Sequence, residues 1–282
     1  MNNKYIMTTK SADRVGIVAA LTNCLATHDG FINELAQFGT PSSLNFFSRI
    51  EFTMSTENLS PFKTELDGII KRFDLRVNIV PTSERLKAVI MTSKHDHCIN
   101  DLLYRVRKNS LNIDIVAVVS NHETSRNLVE QDDIPYHYIH VTKDTKPAAE
   151  ASLRKILNDT SAELIILARY MQILSEDMCR DYAGKIINIH HSFLPSFKGA
   201  KPYHRAYARG VKLIGATAHY VTTDLDEGPI IEQSVQRVDH TMTSEDLIAM
   251  GRDVESQTLA RAVKLHSEHR SFLNGRKTVI LP

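Results

Sequence analysis

The sequence predicts an α/β chain of two domains, a small βαββαβ unit followed by a doubly wound, mostly parallel sheet. Three observations carry that prediction. At 282 residues the chain exceeds the usual span of one domain. A short polar break, Pro81-Thr82-Ser83-Glu84-Arg85, interrupts the apolar pattern and puts a boundary near residue 83, which divides the chain into 1–83 and 84–282. The rhythm also changes there. Before the break, strand-like and helix-like segments follow in the order βαββαβ; after it, continuous Val/Ile runs recur between helix-like segments, as in βαβ units whose strands are covered on both faces.

In the first domain the predicted strands are 5–9, 31–38, 46–54 and 75–80, and the predicted helices 15–27 and 61–73. Val15, Val18, Ala19, Leu21, Thr22 and Leu25 fall at helical spacing, whereas Phe46, Phe47, Ile50 and Phe52 bring the aromatic and β-branched side chains that suit a pleated surface. In the second domain the apolar runs 86–91, 113–119, 136–141, 164–167 and 186–189 read as strands. The segments 100–108, 124–131 and 147–157 read as helices. A long helix over 242–269 opens at Thr243-Ser244-Glu245, and 277–281 reads as a terminal strand. No internal repeat or low-complexity segment interrupts the pattern.

Composition is that of an ordinary globular chain, with 42% hydrophobic and 24% charged residues. A net charge of +1 provides no long-range field for nucleic acid or an anionic membrane. The N-terminus lacks an apolar signal core and no apolar run approaches the roughly 20 residues that span a bilayer, so the expected compartment is the cytoplasm. Cys24, Cys98 and Cys179 are odd in number and widely spaced, which argues against a disulfide framework or a structural zinc site and for small buried residues. His190-His191 and His95-x-His97 are the histidine pairs that a metal would use, but no Glu or Cys completes a zinc spacing, and the expected metal is none.

The chemistry concentrates in Asn188-Ile189-His190-His191-Ser192-Phe193-Leu194-Pro195 and in Asp224-Leu225-Asp226-Glu227-Gly228-Pro229. On a strand, Asn188 and His190 leave the same face, and Asp226 sits in a loop that can meet them. Such a trio suits attack on a small acyl carbon: Asn188 donates to the carbonyl oxygen, His190 transfers protons, and Asp226 orients the imidazole or a water. In a parallel doubly wound sheet, ligands bind beyond the carboxyl ends of the strands, where these residues lie.

These segments, with Gly215-Ala216-Thr217-Ala218-His219-Tyr220-Val221-Thr222, resemble the folate-dependent formyltransferase fold and, within it, the formyltetrahydrofolate deformylases. The resemblance runs from about Arg85 to the C-terminus. Residues 1–83 separately resemble an ACT-type (ferredoxin-like) regulatory domain. It implies that Asn188, His190 and Asp226 hold the three catalytic positions, and that 10-formyltetrahydrofolate is cleaved by water to formate and tetrahydrofolate without a metal or redox cofactor. The formate would feed purine and one-carbon metabolism. By the same resemblance Arg169, Met171, Ile173 and Leu174, with Val221, Thr222 and Asp224, line the folate pocket; Met171, Ile173 and Leu174 read equally as a buried helix start. Lys198, Lys201, His204 and Arg205 either meet the glutamate tail of folate or are solvated.

Two departures from related patterns bear on the acceptor. Transformylases that deliver formyl to a ribonucleotide amine carry a Gly-Ser-Asn-Gly type loop that cradles phosphate, and here that position reads Ser93-Lys94-His95-Asp96-His97. His191 stands where those enzymes have Pro. The loop lacks glycine and adds the Asp96 charge, so water is the expected nucleophile, with Lys94, His95 and His97 filling the acceptor pocket or Asp96 capping the next helix. The alternative is a formyltransferase with an amine acceptor such as glycinamide ribonucleotide. In the ACT-like domain, Asp13 and Gly16 lie in the turn that holds an amino-acid effector, but Val15 replaces the usual Pro, so effector control and a purely structural role both stand. Such domains pair, which implies a homo-oligomer, with no nucleic-acid or membrane partner.

Overall fold

The computed structural model describes residues 2–40, 44–193 and 202–282. The chain divides into two compact units. The first comprises residues 1–85 together with 269–274 and 278–282; the second comprises 86–268 with 275–277.

The first unit contains β1 (Asn2–Ala12), α1 (Ile17–Thr27), β2 (Phe31–Thr40), β3 (Asn45–Ser55), α2 (Thr56–Phe73) and β4 (Arg76–Pro81). The strands form an antiparallel sheet in the order β2-β3-β1-β4, as an ACT-like βαββαβ chain requires. Leu21 and Leu25 of α1, Phe62 and Leu66 of α2, and Phe52 and Met54 of β3 close its core. Both helices begin elsewhere than the spacing predicts. Gly16 takes φ 96° at the N-cap of α1, so Val15 falls outside the helix and is fully exposed. In α2, Ser55 accepts a hydrogen bond from the Asn58 amide and starts the helix at Thr56, leaving Pro61 inside it.

The C-terminal segment departs from the expected 84–282 domain. β12 (Ser271–Asn274) pairs with β13 (Lys277–Ile280), and most of this hairpin packs with the first unit. Its side chains explain why: Phe272 meets Phe47 at 5.7 Å between ring centroids, Lys10 Nζ donates to the Leu273 carbonyl at 2.6 Å, and Arg270 grips Glu34 at 3.0 Å.

The second unit runs β5 (Leu86–Thr92), α3 (His97–Arg107), β6 (Ile113–Ser120), α4 (Arg126–Glu130), β7 (Tyr136–Tyr138), α5 (Lys146–Asp159), β8 (Leu164–Ala168), α6 (Glu176–Asp181), β9 (Ile186–His190), α7 (Pro202–Arg209), β10 (Leu213–Tyr220), β11 (Ile230–Arg237) and α8 (Ser244–Ser267). Its sheet order is β11-β10-β9-β8-β5-β6-β7. The strands from β9 to β7 are parallel; β10 runs antiparallel to β9 and to β11. The chain order reverses around β5, which makes the carboxyl ends of β5, β8 and β9 the natural ligand crevice. The short helices α6 and α7 escaped the sequence pattern because neither is long enough to show a period. α8 is a full-length helix, opened by a capping box between Thr243 and Asp246, and it buries Leu247, Gly251, Glu255, Leu259 and Val263 at steps of four. Among the described residues no helix is long and apolar enough to cross a membrane, and all three cysteines are buried free thiols.

Candidate active site

Strand periodicity puts Asn188 and His190 on one face of β9, opposite His219 and Thr217 of β10. Asp226 reaches them from the loop after β10. That loop folds back tightly: the Tyr220 amide donates to the Pro229 carbonyl at 2.9 Å, and a Cβ on Gly228 would meet the Tyr220 carbonyl oxygen at 1.7 Å. Only glycine permits the return. Asp226 takes the left-handed conformation at φ 57°, and Arg169, across the cavity, does the same at φ 63°. Non-glycine residues held there carry a strain that surrounding contacts must sustain, and such residues gather at functional sites.

His190 Nδ1 lies 3.2 Å from Asp226 Oδ2, and its Nε2 is buried without a hydrogen-bond partner. A carboxylate at Nδ1 fixes the proton on that nitrogen and leaves Nε2 as the working atom. Burial alone would push the Asp226 carboxyl up, but the hydrogen bond from His190 and the nearby His219 ring outweigh it and hold the group well below the usual carboxylate range. Asp226 is therefore an anion at any working pH.

His219 shapes the other catalytic candidate. Its Nδ1 lies 2.9 Å from the Tyr220 carbonyl, which can only accept, so Nδ1 holds the proton and Nε2 accepts from Asn188 Nδ2 at 3.3 Å. Asp226 Oδ1 is 3.7 Å from that Nε2, too far for a hydrogen bond. One amide hydrogen of Asn188 is thus occupied and the other is left for a ligand. Sequence reasoning assigned His219 no role, because it sits in a continuous apolar run that reads as core.

A further chain of contacts runs behind His190. The His191 ring stacks on that of His190, with centroids 5.0 Å apart and planes inclined by 18°. Arg169 Nη1 donates to His191 Nδ1, and Arg169 Nε lies 3.3 Å from Glu255 Oε2, close enough for an ion pair although the N–H is not aimed at the oxygen. Glu255, only 1% exposed on α8, also receives the Tyr203 hydroxyl at 2.7 Å and faces His97 Nε2 at 2.8 Å. Gly251 makes room, since a Cβ there would meet the Tyr203 ring at 2.1 Å. Burial, Arg169 and His190 together push His191 down to about 4, so this imidazole is neutral.

A cavity of about 530 Å³ opens onto Asn188, His190, His219 and Asp226. Every residue expected at a folate pocket lines it: Arg169, Met171, Ile173, Leu174, Val221, Thr222 and Asp224. Met171 and Ile173 stand in a loop and are exposed at 56% and 62%, so the alternative of a buried helix start is corrected; only Leu174 is buried. Asp13 and Gly16 belong to the first unit, between β1 and α1. There the Asp13 carboxylate lies against Gly39, where a Cβ would come within 2.3 Å of it.

Two other expectations need amendment. Ser93 is buried, donates to Asn121 Oδ1 at 2.7 Å and accepts from the Met171 amide at 3.0 Å; Lys94 and His95 are exposed, and His97 turns toward Glu255. None of Lys94, His95 and His97 lines the cavity, so they do not fill an acceptor pocket there, and Asp96 stands at the α3 N-cap without a side-chain cap bond. His204 and Arg205 are exposed on α7, whereas Lys198, Lys201 and the Leu194-Pro195 bond lie outside the described residues, as do Pro41, Ser42 and Ser43. Among the described residues, Cys24-His28-Glu65 and His97-Cys98-Glu255 bring metal-ligating atoms together. The second already has Arg169 as counter-charge, and burial pushes its Cys98 thiol far up, against the thiolate a metal needs.

Comparison with known proteins identifies the family. Residues 86–263 match the formyl transferase family. The chain is 46% identical to a formyltetrahydrofolate deformylase of Corynebacterium sp. (strain P-1) over 99% of its own length and 98% of that protein's. It is similar to the crystal structure of formyltetrahydrofolate deformylase from Burkholderia mallei ATCC 23344, with TM-score 0.95 and 47% identity, covering 99% of this chain and 100% of that one. Glycinamide ribonucleotide transformylase 1 from Symbiobacterium toebii is more distant, with TM-score 0.66 and 27% identity, covering 73% of this chain and 98% of that one. Whole-chain similarity at this level, over both units, shows that the chain belongs to the formyltetrahydrofolate deformylase family.

Proposed function

We propose that the protein hydrolyses 10-formyltetrahydrofolate to formate and tetrahydrofolate at the cavity beyond β9. The observation that carries the reading is the His190 imidazole, bound to Asp226 through Nδ1 while its buried Nε2 has no partner. In the proposed sequence Asn188 donates its second amide hydrogen to the formyl oxygen. His190 Nε2 takes a proton as water adds to the formyl carbon, and Asp226 stabilises the imidazolium and helps hold the water. When the tetrahedral intermediate collapses, the C–N bond breaks and His190 returns the proton to N10. These steps draw on no metal or redox group.

The used-up polar groups of the Ser93–His97 loop support water over an amine. A phosphorylated acceptor needs several free amides near one point, and this loop has no glycine to bring them together, while the Ser93 hydroxyl is tied to Asn121 and Met171 and the buried Glu255 carboxylate faces His97. Met171, Ile173 and Leu225, exposed at the rim, offer apolar surface for a pterin, and Arg169, Val221, Thr222 and Asp224 complete the wall.

The same reading covers the first unit. We propose that it pairs two or more copies through β2, an edge strand that exposes Phe31, Leu35 and Phe38. An amino-acid effector is proposed for the open turn at Asp13 and Gly16, and titrating glycine and methionine against turnover tests it. The proposed compartment is the cytoplasm. The decisive experiment is formate release from 10-formyltetrahydrofolate with no amine present. Steady turnover, lost in His190→Ala and Asp226→Asn while folate still binds, supports the hydrolase; release that requires an added amine makes the protein a transferase.

A further inference from the structure

We infer that Glu255 is a positioning residue for the reaction: acting through Arg169 and His191, it balances the charge behind His190 and fixes the surface against which that imidazole lies. The inference rests on His190 being the proton-transfer group. It starts from an anomaly of burial. Glu255 is a carboxylate almost without solvent, on a helix whose other inward residues are small or apolar, and it draws a histidine, an arginine and a tyrosine from three different elements. A buried charge of this kind is costly unless fully paired, and replacing such a group by a hydrophobic residue often stabilises a protein. Packing alone does not call for it.

The geometry shows what the charge acts on. Arg169 is held at φ 63°, with its guanidinium between Glu255 and His191. Because a guanidinium only donates, His191 Nδ1 must carry a lone pair, so its proton is on Nε2 and its tautomer is set. The ring so oriented stacks on His190. On its other side His190 meets Asp226, and His219 stands beyond Asp226 on β10. Glu255 faces His97 and Cys98 from α3, Arg169 after β8, and Tyr203 from α7; Arg169 and Glu255 also act on His95, as does Arg252. Arg169 is the one cation among the described groups that touches both Glu255 and His191. With Glu255 present, its charge is balanced and an imidazolium can form at His190 during turnover. Without Glu255, an unbalanced guanidinium opposes that protonation.

The test is Glu255→Gln, read by the pH midpoint of His190 in histidine-labelled protein by NMR and by formate release. The midpoint is expected to fall by about 0.5 or more, with kcat reduced roughly tenfold or more and KM changed less than threefold. Tyr203→Phe, which removes one hydrogen bond to Glu255 and keeps its charge, should move the midpoint by less. The double variant Glu255→Gln/Arg169→Met, which removes both charges, should bring the midpoint back toward the parent. A lowered Tm with unmoved midpoint and kcat would overturn the inference, as would a double variant whose midpoint stays as low as the single. If Glu255→Gln does not fold, an unmoved Tyr203→Phe midpoint overturns it. The NMR readout does not require turnover, so a parent that releases no formate defeats the hydrolase reading and leaves this one to be judged on its own.

Discussion

The carboxyl end of β9 and the turn between β1 and α1 are both short polar stretches beside a strand, yet their surroundings differ sharply. Around β9, Asn188, His190, His219, Asp226, His191, Arg169 and Glu255 are linked by hydrogen bonds, an ion pair and a ring stack, and His190, which lines the cavity, keeps a buried Nε2 without a partner. In the β1–α1 turn, Val15 is fully exposed and the Asp13 carboxylate lies against Gly39 of β2. A buried polar atom without a partner costs on the order of 1–3 kcal/mol. Keeping one inside a network of otherwise paired side chains marks a place where a ligand is meant to supply the partner. An open loop carries no such mark, so its function has to be found by titration.

The contrast can be broken most forcefully at His190 and Asp226. His190→Ala should lower formate release by about 10² to 10⁴-fold, and Asp226→Asn should do comparable damage by releasing the Nδ1 tautomer; near-parent rates in either would remove the site. Asn188→Ala should lower kcat by about 10² to 10³-fold, the usual loss for one oxyanion donor, and an effect confined to KM would mean that it merely binds. A smaller effect lies in acid stability. His191 sits at about 4 against an ordinary 6.5, so between those values the unfolded chain binds the extra proton. Its contribution is complete above 6.5 and is lost as pH falls toward 4, on the order of 3 kcal/mol across that window. Denaturant midpoints should therefore depend less steeply on pH in His191→Gln than in the parent. At the other end of the scale, Val15→Ala should leave basal turnover within about twofold, consistent with a side chain that touches nothing. A larger loss would show that the turn is not the idle partner in the comparison.

The legible parts of the molecule were those that rest on local periodicity. Strand alternation placed Asn188 and His190 on one face, and continuous Val/Ile runs announced the parallel sheet. The Thr243-Ser244-Glu245 opening marked the start of α8, whose N-cap is Thr243. What stayed hidden depends on partners distant in sequence. Glu255 reads as one polar residue in an amphipathic helix until Arg169, His97 and Tyr203 converge on it. His219 reads as core until its Nδ1 is seen on the Tyr220 carbonyl. The displaced start of α1 followed from the positive φ of Gly16, a backbone choice that apolar spacing does not register.

The C-terminal hairpin has a consequence for biogenesis. Because 269–274 and 278–282 complete the first unit, that unit cannot finish folding when its own residues 1–85 leave the ribosome; it must wait until all of 86–268 has been translated. The face of β3 opposite the helix-packed core, where Phe47 meets Phe272, stays uncovered for that interval. At about 5–20 residues per second the delay is on the order of ten seconds or more. The second unit thus has all its residues once 277 is made, and the first is sealed by the last five.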